Sequence, residues 1–87
     1  MATVAEAFDL AFQHHQAGRL PEAEALYRHI LQVQPNHPDA HNNLGSALGI
    51  QGKLEEAAAH FRQALALQPT YAEAHNNLGN VLKRQGK

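Results

Sequence analysis

The chain has no cysteine, so disulfides, thiolate zinc sites and a cysteine nucleophile are excluded. It has little β-branched character: Val, Ile and Thr together number 7, against 16 Ala and 11 Leu. That skew favours helices over strands. Charge of either sign is scarce in excess. Lys+Arg 7 against Asp+Glu 8 leaves a net charge of −1, which gives no basic field for nucleic acid. No run approaches the ~18–20 apolar residues of a membrane span. The start lacks a basic leader region, and Glu6 and Asp9 interrupt any apolar stretch there. Cytoplasm is the expected compartment. Hydrophobic residues still make up 44% of the 87, enough for one small folded domain.

What is present is a period. Gly18, Gly52 and Gly86 stand 34 residues apart, as do Pro35 and Pro69. Ala23 returns as Ala57, Tyr27 as Phe61, and His41-Asn42-Asn43-Leu44-Gly45 recurs unchanged as His75-Asn76-Asn77-Leu78-Gly79. A repeat of this length signals a solenoid or array. Each period reads as two helices. Ala40, Leu44, Ala47 and Leu48 mark one helical face, and Gly52 stops it. Ala57, Ala58, Phe61, Ala64 and Leu65 mark the next, ending before Pro69. In the first helix Val4, Ala7, Leu10 and Ala11 supply the core face. Gly45 and Gly79 cost roughly 1 kcal/mol each against alanine inside a helix, so a packing reason is expected at both.

These residues resemble the tetratricopeptide repeat, a 34-residue helix–turn–helix family. The second period matches its pattern at Leu44, Gly45, Ala57, Phe61, Ala64 and Pro69, and the first at Leu10, Ala23, Tyr27 and Pro35. The family's large aromatic is replaced by Ala7, His41 and His75. The resemblance implies an all-α, right-handed superhelix of five helices and two and a half repeats. Its units would be residues 4–37, 38–71 and a first helix over 72–87. The third copy then stops mid-repeat, as in a piece of a longer protein.

Chemistry within the chain is sparse. His37 and His41 have zinc-like spacing, but Pro38 lies between them and no third ligand converges, so no metal or cofactor is expected. Ser46 is the only serine and has no nucleophile elbow around it. Glu22, Glu24, Glu55 and Glu56 open second helices, where the dipole accounts for them. The expectation is a non-enzyme. His41 and His75 read as packed between helices.

The resemblance places first helices along a concave groove that holds a protein or peptide partner. Carried over, the groove residues are Phe8, Asp9, Phe12, Asn42, Asn43, Ser46, Asn76, Asn77, Asn80, Lys83 and Arg84. It would run from two phenylalanines, through amides, to a basic end. Asn43 and Asn77 sit on equivalent turns and offer both donor and acceptor to a peptide unit. That row resembles the asparagine ladder of O-linked N-acetylglucosamine transferases, which suggests an alternative role as the substrate-recruiting arm of a larger enzyme. A carboxylate clamp of the chaperone-binding kind would need Lys and Asn where Phe8 and Phe12 stand. The last helix carries Leu78, Val81 and Leu82, with no further helix in the sequence to cover one side of them. Leaving such leucines wet forgoes roughly 1.5–3 kcal/mol apiece, so a homo-oligomer joined through this edge is expected.

Overall fold

The structure, a computed structural model, describes residues 2–87. Among them it contains five α-helices: α1 (Val4–Gln16), α2 (Leu20–Val33), α3 (Pro38–Ile50), α4 (Leu54–Leu67) and α5 (Ala72–Arg84). Local chemistry sets their ends. Thr3 accepts the Glu6 N–H at 3.0 Å while the Glu6 carboxylate accepts the Thr3 N–H at 2.9 Å, a capping box that starts α1. His37 caps α3 by accepting the Ala40 N–H on Nδ1 at 3.0 Å, and Pro38 follows where a missing N–H costs nothing. At the other end of α3, Gly52 adopts φ +81°. Its N–H reaches the Gly49 carbonyl at 3.0 Å and the Lys53 N–H reaches Leu48 at 2.9 Å. That left-handed turn suits glycine, and Gly18 and Gly86 repeat it.

Each helix packs on its sequence neighbours, and α3 also touches α1 and α5. The result is a solenoid of about two and a half repeats, 42 × 26 × 18 Å, with α1, α3 and α5 side by side on one layer. Tyr27 and Phe61, equivalent positions on α2 and α4, anchor the core with 0% and 1% exposure. Ala40, Leu44, Ala47 and Leu48 are wholly buried, as their spacing requires. Leu10 departs from expectation. It is 46% exposed, because among the described residues no helix lies over it as α2 lies over Leu44, and Phe8 joins the core in its place. Glu24 binds the second hairpin to the first through Gln51 (3.0 Å) and Lys53 (3.3 Å), and it also pairs with Arg28 of its own helix (3.0 Å). Burial alone would push its carboxyl up, but those bonds hold it below the usual range.

Candidate functional site

One face is built by α1, α3 and α5, and two clefts lie along it. One of about 310 Å³ is walled by Phe8, Phe12, Asp39, Asn43, Tyr71 and Glu73. The other, about 140 Å³, lies between α3 and α5, with Ser46, Asn77, Asn80 and Arg84 at its rim and Phe61 at its floor. Helical spacing places these side chains: Phe8 and Phe12 are i, i+4 on α1, Asp39 and Asn43 are i, i+4 on α3.

The amides are tied into a network rather than standing free. Asn42 is wholly buried. Its Nδ2 donates to Glu73 Oε1 at 3.0 Å and to Asn43 Oδ1 at 3.3 Å, while its Oδ1 accepts from Asn77 Nδ2 at 3.2 Å. Asn42 therefore does not project into the groove. It is the pin that fastens α5 to α3. The reason lies in the period: Asn42 occupies the position of Phe8, which stacks on His37 with ring centroids 5.4 Å apart. In the second copy Tyr71 replaces His37, so an amide sits where a ring sat.

Asn43 and Asn77 are half-buried, Asn80 and Asn76 exposed, and Asp9 exposed on α1. Asn76 lines neither cleft. Ser46 lies 3.5 Å from His15 Nε2, whose Nδ1 is 3.2 Å from the Tyr27 hydroxyl. Burial raises the Tyr27 phenol pKa, and the neighbouring Asn43 amide partly offsets this. Phe8 is half-buried and edge-on to Tyr27, whereas Phe12 keeps 42% of its surface open. Lys83 is exposed. Arg84 is exposed too, but its Nη1 donates to the Gly49 carbonyl at 2.9 Å.

The expected apolar edge is drier than its sequence implies. Val81 is 5% exposed and its Cγ2 faces the Gly49 backbone, while Leu78 and Leu82 are half-buried. The α3–α4 hairpin supplies this cover. The larger exposed apolar side chains are Leu10, Phe12, Val33, Ile50 and Leu67.

The repeated histidines split. His75 is exposed, its Nε2 on the Pro69 carbonyl at 2.8 Å, and among the described residues no helix packs over it. His41 is half-buried against His60, with Nδ1 to Nδ1 at 3.1 Å and its Nε2 on the Pro35 carbonyl at 2.9 Å. A carbonyl only accepts, so Nε2 of His41 carries the hydrogen and its Nδ1 lone pair receives the His60 N–H. Burial first, then the charges of His41 and Arg28, hold His60 below the ordinary histidine range, and burial does the same to His15. Unfolded chains then take up protons that the fold resists, so stability should fall as pH drops below about 6.5. Denaturant melts between about pH 7.5 and pH 5.5 should show a smaller loss for His60→Leu than for the wild type. Equal slopes in the two proteins would remove His60 as the cause.

Sequence reasoning missed Tyr71 and His60. The period could have found Tyr71, since it stands 34 residues after His37; His60 has no such signal.

Three family profiles tile the chain: one described as TPR repeat over residues 47–86, and two as Tetratricopeptide repeat over 26–59 and 7–29. No curated protein matches the chain in sequence. Among solved structures, the first TPR of Spaghetti (RPAP3) bound to HSP90 peptide SRMEEVD superposes with a TM-score of 0.94. The two are 21% identical over 98% of this chain and 68% of that one, which speaks for the fold alone. MamA AMB-1 superposes with a TM-score of 0.88 at 25% identity, over 97% of this chain and 46% of that one. The likeness to a glycosyltransferase ladder rests on Asn43 and Asn77 alone.

Proposed function

The chain belongs to the tetratricopeptide repeat family, and we propose that it is a non-catalytic scaffold holding an extended protein segment along α1, α3 and α5. The observation that carries this reading is the pair of open clefts in line on this face, with polar atoms already fixed by bonds between helices. A groove held rigid before binding loses little freedom when it is filled. Asn77 spends its nitrogen on Asn42 and keeps its oxygen for an incoming N–H. Asn43 receives the Asn42 N–H on its oxygen and keeps amide hydrogens for a carbonyl. Together they suit a peptide backbone, whose donors and acceptors alternate whatever its side chains. The peptide carried by the Spaghetti repeat supports the same use of the fold.

Asn43→Ala/Asn77→Ala tests it. Peptides selected on an array should bind the double variant several-fold more weakly by fluorescence anisotropy, and unrelated sequences should lose similar amounts, roughly 1–2 kcal/mol. The comparison belongs at a temperature well below the melting of both proteins, because Asn77 also braces Asn42. Equal binding by the two proteins would end the backbone reading.

A further inference from the structure

We infer that the cleft between α1, α3 and the start of α5 seats a cationic side chain of the held segment, so that the partner carries lysine or arginine beside apolar residues. This deepens the peptide-scaffold reading and rests on it. The cleft is an aromatic box with two carboxylates. Phe8, Phe12 and Tyr71 offer ring surface, and the exposed Asp39 and Glu73 line the same cleft. Neither acid has a cation. Among the described residues the ion pairs are Arg28 with Glu24 and Glu56, and Lys53 with Glu24, all outside the groove.

Both carboxylates are instead held by neutral donors. The Tyr71 hydroxyl donates to Asp39 Oδ1 at 2.5 Å, and Asn42 Nδ2 donates to Glu73 Oε1 at 3.0 Å. A neutral donor fixes a carboxylate without cancelling its charge. A first-turn acid needs only the helix dipole to account for it. The dipole does not account for two of them lining one aromatic cleft, each locked by a residue of the other helix or its cap. Their field is felt locally: burial, then the Asp39 bond and the charges of Asp39 and Glu73, push the Tyr71 phenol well above its usual range.

Lys83 and Arg84 do not neutralise it. Arg84 lies eleven residues along α5 from Glu73, about 16 Å by helical rise, and is turned to the Gly49 carbonyl. That is beyond the screening length of about 8 Å at physiological salt. A lysine or arginine would lay its methylene stem on the rings, place its head over a ring face and meet the carboxylates at the far side. An acid-rich tail such as SRMEEVD would meet like charge there. The groove thus has the shape of a peptide site with its polarity reversed at this end.

The test is a positional-scanning library of short acetylated peptides, followed by anisotropy on the best binders and on SRMEEVD. Lysine or arginine at one position should bind about tenfold more tightly than glutamate there, and added salt should erode the difference. Asp39→Asn/Glu73→Gln keeps both acceptor oxygens for Tyr71 and Asn42, so it should fold, as its melting curve will show, and should lose the basic preference while still binding neutral peptides. Peptide binding with no basic preference, a preference unchanged in that variant, or SRMEEVD binding as tightly as basic peptides overturns the inference and leaves the scaffold reading intact. Failure of every pool to bind overturns both.

Discussion

Gly45→Ala should destabilise the fold while Gly79→Ala stabilises it, although both glycines stand at the same place in the period. A Cβ on Gly45 would lie 2.7 Å from Cε1 and 2.9 Å from Cδ1 of Phe61, distances that no side chain tolerates unmoved. Phe61 is 1% exposed, so its ring can make room only by shifting within the packed core. Overpacking of this kind costs about 1–3 kcal/mol, against roughly 1 kcal/mol gained in helix propensity. The expected net loss is up to about 2 kcal/mol, a fall of several degrees in melting temperature for a domain of this size. Gly79 has nothing within 4 Å of a Cβ, so alanine there gains up to about 1 kcal/mol. Gly49 falls between, with Ala57 and Val81 at an ordinary 3.8 Å. Urea melts of the two variants decide it. Shifts in the same direction would mean that the Phe61 contact does not set the requirement.

That contrast shows what a repeat sequence conveys and what it withholds. The period and its face patterns disclose the helices, their stops and the buried stripe of α3, because these depend on residues within one unit. They assign one role to each position, whereas a position's neighbours belong to the flanking units. Leu44 is buried and Leu10 is 46% exposed; His41 meets His60 and His75 meets solvent; Gly45 abuts Phe61 and Gly79 abuts nothing. The site was legible to a similar depth. The groove positions of α1, α3 and α5 could be counted along the chain, and Phe12, Asn43 and Asn77 do face it or its rim. The acidic cleft could not be counted, because it needs Tyr71 at the start of α5 to bond Asp39 on α3, one unit earlier. Asn42 misled for a further reason. Polar residues usually face water, and this one is buried because three partners from α3 and α5 satisfy it.

Asn42→Asp should therefore cost more than its near-identical shape suggests, about 2–4 kcal/mol at neutral pH. The amide nitrogen now donates to the Glu73 carboxylate and to the Asn43 carbonyl; an oxygen there would turn two attractions into two repulsions. It would also leave a charge with no exposed surface beside another carboxylate. Burial and like charge both raise the pKa of the new carboxyl in the folded state. The linkage then has a definite sign. Below the unfolded value of about 3.9 both states are protonated and the penalty vanishes; it grows as pH rises through that value and is complete above the raised folded one. The variant should consequently sit furthest below the wild type at about pH 7 and approach it near pH 4, where the wild type has itself lost histidine-linked stability. Asn42→Ala separates charge from lost bonds. It removes the pin without adding a carboxylate, so its deficit, about 1–2 kcal/mol, should change little with pH. Denaturant melts of the three proteins across this range carry the test. An Asp variant whose deficit is as flat as that of the Ala variant would show that water reaches position 42 and that the pin between α3 and α5 is not closed.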